Sequence, residues 1–453
     1  MCPVLKLALF SYFVVVLFSL FFKKKGQTGD AADFLLAGRK LSLLPFVATL
    51  VTTSYGWING IGEIYAQYGI SAWLFLSLPY TSFGLLVAFF FTKKLRFAGV
   101  NSIPELLEQS YAKPVAKLGA LLLILLVSPA MYVLMGAQVI KHTLGWPLVW
   151  GIPFIILFSS IYLYRGGLQG LIRNDLIKFS LMFIGFAAAL FYLFQKHGTE
   201  VLNALPSGHL EFSLSSHWPE VLAWFALASI VLADPSYHQR IYASKDPATA
   251  KRGIILAVGF WTLFDFLAAG LAMYALVLVP NADSSILYLE LGQAALPEGL
   301  YILFFLGILS TILSTADSFI FLEAQCIAMD LLPFKGSTEA RMRLGLLLSS
   351  LLTFVLLLFY IEKSAVNIFL DFTPFIVAGL VSPVLYSFSR FKLPALWTFI
   401  QMILSLAICA AFTLFPQTWF KEPINPVLPA LFFSLVFPLF FSLISRLTQT
   451  KKG

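Results

Sequence analysis

Between positions 310 and 318, a strongly apolar segment of the chain carries five hydroxyls and one carboxylate at helical spacing. These residues are Ser310, Thr311, Ser314, Thr315, Asp317 and Ser318. At 100° per residue they fall within an arc of about 160°, so they would form one polar face of a helix. Clustered hydroxyl, carbonyl and carboxylate oxygens are ligands that hard cations such as sodium prefer. The pattern favours a cation site over hydroxyls that only bond back to their own helix.

The single acid of this stripe constrains how its helix can lie. An ionised Asp at the centre of a membrane helix costs about 2.5–3.5 kcal/mol on insertion scales. Asp317 lies well inside its apolar segment, so its carboxylate is expected to face protein or a water-filled cavity. The alternative is a purely structural Asp317 that joins two helices by hydrogen bonds.

The composition indicates what kind of molecule holds the stripe. Of 453 residues, 59% are hydrophobic and 11% are charged, against about 25% charged in an average soluble protein. Three widely separated cysteines cannot staple a secreted domain, and no HExxH, GxSxG or Walker motif is present. The sequence therefore predicts an all-α polytopic membrane protein that is not an enzyme and does not bind nucleic acid.

Thirteen apolar stretches of about 20 residues, the length that crosses a bilayer, follow one another along the chain. They begin near Leu7, Leu41, Ile70, Lys117, Trp146, Asp175, Pro219, Gly253, Gly299, Arg343, Ala365, Pro394 and Ile424. Asp234 and Pro235 are expected to end the seventh stretch. The first could be a cleaved signal peptide, but its basic cluster follows the apolar run and no small-residue cleavage site follows, which favours a peripheral helix.

Basic residues predict the orientation of these stretches. Alternate connections hold 24 of the 30 Lys and Arg residues, with Arg240 counted in the loop after the seventh stretch. By the positive-inside rule, the N-terminus is then outside and the C-terminus is in the cytoplasm. The predicted location is an integral protein of a bacterial inner (plasma) membrane.

The order of the stretches also predicts an internal symmetry. Stretches two to six and seven to eleven are two units of five, and an odd number gives the units opposite topology. The predicted division is 1–30 as a peripheral helix, 31–200 as the first inverted repeat, 201–392 as the second, and 393–453 as two peripheral spans with a cytoplasmic tail. Inverted-repeat transporters bind ligands at interrupted helices. Gly56, Gly60 and Gly62 predict such an interruption in the second stretch, unless they only permit close packing.

Four motifs then appear in order along the chain. They are DFLLAGRK at 33–40, GGLQGLIRND at 166–175, QR with ASKD and AKRG within 239–253, and LSTADS at 313–318. Over about residues 30–390 the sequence resembles the sodium/solute symporter family, which includes proline, pantothenate, sialic acid and sodium-glucose cotransporters. The resemblance implies a leucine-transporter-like fold with two inverted five-helix repeats, and uphill solute import driven by sodium.

The resemblance also implies a set of sodium ligands. Ser314 and Thr315 match two hydroxyl ligands, and Thr311 matches a carbonyl ligand one turn earlier. Two further carbonyls come from the point where the second stretch unwinds, and the candidate pairs are Leu50 with Thr53 or Val51 with Ser54.

Some members of the family bind a second sodium, and the matching positions here are Ser314, Asp317, Ser318 and Asp175. Lys178 lies one turn from Asp175 and could pair with it, which argues against a second ion. Asp175 could instead offset the dipole at the start of the sixth stretch.

The solute is expected near the midplane, between stretches two, three, four, seven and eleven. Candidate lining residues are Trp57, Asn59, Ser77, Tyr80, Tyr132, Trp224 and Ser229. The sequence indicates no buried Arg that would mark an anionic solute and no securely central acid that would mark a cation. Sugars, amino acids and small carboxylates therefore all remain possible solutes.

The expected function is sodium-coupled symport of a small organic solute by alternating access. The expected partners are the solute, sodium ions and the lipid bilayer, with no cofactor beyond the coupling ion. The alternatives are a proton-coupled carrier using Asp175 and Asp317, a receptor-like protein that does not transport, and a channel.

Overall fold

The computed structural model describes residues 3–18, 31–212, 218–332, 334–360, 365–419 and 422–450. Ten helical regions there are long and apolar enough to cross a membrane. Three shorter apolar helices, Val4–Phe18, Leu43–Ser54 and Leu148–Tyr164, accompany them. A two-residue antiparallel strand pair joins Thr418–Trp419 to Glu422–Pro423. The prediction of an all-helical membrane chain is confirmed, and the ten long helical regions with the three shorter apolar helices account for the thirteen predicted stretches.

The helices are numbered here as spans in chain order. They are Pro3–Phe18; Leu43–Ser54 with Ile58–Tyr68; Ala72–Phe75 with Ser77–Leu86 and its continuation to Thr92–Arg96; Lys113–Leu126 with Ala130–Leu144; Leu148–Tyr164; Gly166–His197; Trp218–Ala228 with Ser229–Ala233 and Pro235–Ala243; Pro247–Leu278; Glu298–Gln325; Thr338–Tyr360; Ala365–Ser387; Ala395–Leu414; and Val427–Thr450. Short helices Ala31–Leu36, Ile103–Ser110 and Leu287–Ala295 lie between spans.

The sixth span differs most from its predicted position. It begins at Gly166 rather than near Asp175, and it follows the fifth span across a break at Gly167, whose φ is 52°. A side chain at Gly167 would place its Cβ 2.7 Å from the carbonyl oxygen of Phe34. The polar residues from Asn174 to Lys178 are therefore inside the span. Hydropathy placed them at its boundary because it does not distinguish a buried polar residue from a loop.

The first spans of the two predicted repeats are both discontinuous. The second span breaks between Ser54 and Ile58. The seventh narrows to a 3₁₀ turn over Ser229–Ala233 and restarts as the helix Pro235–Ala243. Discontinuous helices in corresponding halves are the feature around which inverted-repeat transporters build their sites.

Asp234 starts a helix rather than ending the seventh span, so that prediction is wrong. Its backbone is extended, and its side chain accepts a 2.7 Å hydrogen bond from the backbone N–H of Ser236. Pro235 occupies the first turn, where a missing N–H leaves no hydrogen bond unmade.

Two of the sequence motifs meet at one end of the bundle. The backbone N–H of Leu41 donates to Ala243 at 2.9 Å, and that of Lys245 donates to Leu41 at 3.1 Å. Arg39 donates to Asn101 at 3.0 Å, and Arg96 donates to the carbonyl of Ser244 at 2.7 Å. These bonds tie the approach to the second span to the segment that follows the seventh.

The first span packs onto the bundle through one face. The ring of Phe13 lies 5.1 Å from that of Phe154 and 4.4 Å from that of Phe158 in the fifth span. Ser310, the first hydroxyl of the polar stripe, donates a 3.4 Å hydrogen bond to Tyr12. This contact places Ser310 apart from the other hydroxyls of the stripe.

Candidate ion and solute sites

The break in the second span lies directly against the polar stripe of the ninth. The Thr315 hydroxyl donates to the carbonyl of Thr53 at 2.8 Å and lies 3.3 Å from the carbonyls of Thr52 and Thr311. One hydroxyl and three carbonyl oxygens therefore converge. A Cβ at Gly56 would lie 2.2 Å from the Thr315 side chain, so only glycine at this position permits the approach.

This contact involves one of the four predicted carbonyl residues. The carbonyl of Thr53 meets the ninth span, together with that of Thr52, which was not predicted. Ser54 donates its hydroxyl to the carbonyl of Leu50 at 2.9 Å within its own helix. Val51 is buried in the same helix.

Asp175 joins three spans rather than capping one. It accepts a 2.7 Å hydrogen bond from Ser314 in the ninth span and a 2.5 Å bond from Thr49 in the second. Its side chain is fully buried, well inside the sixth span. The explanation by a dipole at the span's start is therefore wrong, because the effect of the dipole is limited to the first turn.

Asp317 forms a buried ion pair with Lys178. Both side chains have 0% exposure, and the ammonium also lies 5.6 Å from the centre of the Tyr162 ring. The predicted pairing of Lys178 with Asp175 is wrong, since its hydrogen bond goes to the other acid. Two of the four residues suggested for a second cation, Asp317 and Ser318, thus already accept hydrogen bonds from basic side chains.

Arg240 is fully buried, against the prediction that it lies in a loop and that no buried Arg is present. One of its terminal nitrogens donates to the hydroxyls of Thr49 at 3.1 Å, Thr53 at 3.0 Å and Ser318 at 3.0 Å. Thr53 and Ser318 are also 3.0 Å from each other. Through Thr49, the guanidinium is linked to the Asp175 carboxylate.

A cavity of about 180 Å³ opens beside the break of the second span. Four of the seven predicted solute-lining residues line it, namely Trp57, Ser77, Tyr80 and Tyr132, together with Thr53 and Ser54. Because the carbonyl of Thr53 contacts Thr315, the cavity and the oxygen cluster share a residue.

The other three predicted lining residues lie nearby without lining the cavity. Trp224 stacks on Trp57, with ring centres 6.4 Å apart, and on Phe369 at 6.1 Å. Ser229 donates to the carbonyl of Ala226 at 2.6 Å in its own span. Asn59 is buried, and its amide has no hydrogen-bond partner among the described residues.

Two acids that the sequence interpretation did not select line this cavity. Asp234 faces it from the break of the seventh span, and Asp265 faces it from the eighth, where its carboxylate accepts a 2.7 Å bond from the Tyr55 hydroxyl. None of the described lining residues is basic. Asp265 stands in the middle of an apolar stretch, so the insertion cost applied to Asp317 would have identified it.

Free hydrogen-bonding groups accompany these acids. The Tyr80 hydroxyl, the Ser128 hydroxyl and the Trp261 indole N–H are buried against the cavity without a hydrogen-bond partner in the described residues. Buried polar groups of this kind are costly unless a ligand or water satisfies them. The cavity can therefore offer donors as well as acceptors to a solute.

Comparison with known proteins finds sodium cotransporters among the relatives of this chain. A sodium/glucose cotransporter of Vibrio parahaemolyticus is 25% identical over 292 residues, covering 58% of this chain and 53% of the relative. A human sodium/myo-inositol cotransporter is 27% identical over 183 residues, covering 38% of this chain and 25% of the relative. This chain thus spans about half the length, or less, of these curated relatives.

Solved structures show the same fold at low identity. A Na⁺-coupled sialic acid symporter in a substrate-bound, outward-open state superposes with a TM-score of 0.79 at 14% identity, covering 97% of this chain and 98% of that one. MhsT in complex with L-phenylalanine gives a TM-score of 0.58 at 15% identity, covering 87% of this chain and 99% of that one. The leucine-transporter-like fold with two inverted five-helix repeats is therefore confirmed. Residues 34–389 match the sodium:solute symporter family, and the chain belongs to that family.

Proposed function

We propose that this protein is a secondary active transporter that couples the inward movement of sodium to the uptake of a small polar solute. The observation that carries the proposal is the contact of the Thr315 hydroxyl with the Thr53 carbonyl at the break of the second span. Sodium would be held by Thr315, Ser314 and the carbonyls of Thr53 and Thr311. Family membership and the cotransporter relatives support the same reading.

Coupling follows from the residues that the two sites share. Thr53 contributes a carbonyl to the oxygen cluster and also lines the cavity. An ion that fixes the unwound segment would therefore order part of the solute site before the solute arrives, which gives positive coupling between the two ligands.

The charge of the cavity narrows the class of solute. Asp234 and Asp265 line it and no described lining residue is basic, so a carboxylate or phosphate solute would meet only like charge. The stacked rings of Trp57, Trp224 and Phe369 suit the flat face of a sugar or an organic ammonium group. We propose a neutral or positively charged solute.

Uptake into proteoliposomes tests this function. With membrane potential clamped, an inward sodium gradient is expected to drive accumulation of a neutral or amine-bearing solute from a labelled panel, and potassium in place of sodium should abolish it. Anionic members of the panel should neither accumulate nor compete. Uptake driven by a proton gradient without sodium would instead indicate the proton-coupled carrier. Equilibration without accumulation would indicate a channel, and absence of any uptake a receptor-like protein.

We further propose a plasma-membrane location with the N-terminus outside and the C-terminus in the cytoplasm. Removing Arg240 from the loop residues leaves the strong asymmetry of basic side chains intact. A reporter fused after Gly453 is expected to read cytoplasmic and one placed before Leu7 to read external. A cytoplasmic reading at both ends would contradict an odd number of spans.

A further inference from the structure

Lys178 pairs with the acid of the polar stripe. Its ammonium contacts one carboxylate oxygen of Asp317, with both side chains fully buried. The second carboxylate oxygen of Asp317 has no hydrogen-bond partner among the described residues. The stripe hydroxyls next to Asp317 are bonded to other groups, Ser314 to Asp175 and Ser318 to Arg240, so Asp317 itself supplies the negative charge and a free oxygen.

The charges of the buried network allow room for one free cation. The network consists of the acids that interact electrostatically with Lys178 or Arg240: Asp175 and Asp317, which are fully buried, and Asp234, which is half-buried. Two further buried acids lie outside it, because Asp265 accepts from Tyr55 and Glu323 from Ser349. If the three acids of the network, Lys178 and Arg240 are all ionised, the sum is one negative charge. One sodium ion balances it, whereas a second would leave an uncompensated positive charge in a buried region, which is costly.

We propose that the Lys178 ammonium is a tethered substitute for a second coupling sodium ion at Asp317, so that the protein binds one sodium ion. The inference rests on the proposed sodium coupling. A lysine suits this role because its ammonium is a compact point charge with three donors on a flexible stem. Being attached to the sixth span, it neutralises Asp317 without being released, so it carries no charge across the membrane.

Equilibrium binding of ²²Na⁺ to the purified full-length protein tests the proposal without knowledge of the solute. Wild type is expected to bind one sodium ion. Lys178→Gln should bind two, because both carboxylate oxygens of Asp317 and its negative charge then become available. Lys178→Gln combined with Asp317→Asn should return to one. Lys196→Gln, which removes an exposed lysine from the same span, should behave as wild type.

Two results would overturn the proposal. Binding of two sodium ions by the wild type would overturn it, whatever the variants show. This result does not depend on whether Lys178→Gln folds. A folded Lys178→Gln that still binds one ion would show that the lysine does not exclude a cation. If the wild type binds no sodium, the proposed sodium coupling itself fails. That result can be told apart from the two results above, in which sodium does bind.

Discussion

Replacing Arg240 with methionine is expected to lower the free energy of unfolding by about 3–5 kcal/mol, the usual cost of leaving a buried charge without its partner. The guanidinium bridges the hydroxyls of Thr49, Thr53 and Ser318. It also compensates the nearby charges of Asp175 and Asp234. Thermal unfolding in detergent should therefore show a markedly lower midpoint for Arg240→Met.

A matched control separates this effect from the general loss of a basic residue. Arg252 is exposed at the start of the eighth span, and Arg252→Met should unfold at the wild-type temperature. Arg240→Lys should recover part of the loss, because it keeps the charge but not the planar set of donors. An Arg240→Met protein as stable as wild type would mean that the buried acids are compensated in another way.

The sequence allowed the architecture to be predicted because apolar length and basic loops are strong, local signals. A span begins close to its predicted position when the preceding loop carries a charged residue and the helix itself is apolar. The exceptions are instructive. Asp175 and Arg240 are polar, and both were placed at boundaries although both are fully buried. In a membrane protein, a polar residue near a boundary is either solvated or part of an internal network, and hydropathy gives the same value for both.

The partners of the candidate site could be predicted only in part. The helical spacing of Ser314 and Thr315 indicated a shared face, and the glycine at 56 indicated where the second span breaks. The acid that forms the ion pair with Lys178 could not be predicted. Asp175 is one turn away in sequence, whereas Asp317 is in another span, and the choice depends on how the sixth and ninth spans pack against each other.

The structure also divides the polar stripe into parts with different tasks. Ser310 contacts Tyr12 of the first span. Ser318 accepts from Arg240, and Asp317 from Lys178. Thr315, with the carbonyl of Thr311, lies in the oxygen cluster at the break, and Ser314, one residue before it, donates to Asp175. One helical face therefore serves as a packing contact, a charge network and a candidate ion site.

This division predicts which hydroxyls sodium requires. Thr315→Ala and Ser314→Ala are each expected to weaken sodium affinity by roughly tenfold, if one ligand contributes about 1.4 kcal/mol. The double variant should lose less binding free energy than the sum of the two single losses, because neighbouring residues on one site are not independent. The measurement is the sodium dependence of ²²Na⁺ binding to the purified protein.

Two further substitutions make the prediction specific to the ion rather than to the helix. Ser310→Ala removes a hydroxyl from the same stripe, but one that contacts Tyr12 instead of the oxygen cluster, so its sodium affinity should equal that of wild type. Thr315→Ser keeps the oxygen that lies 2.8 Å from the Thr53 carbonyl and should retain most of the affinity. If the folded double alanine variant binds sodium as tightly as wild type, the ion does not bind at the break of the second span, because no hydroxyl ligand of the ninth span would then remain there.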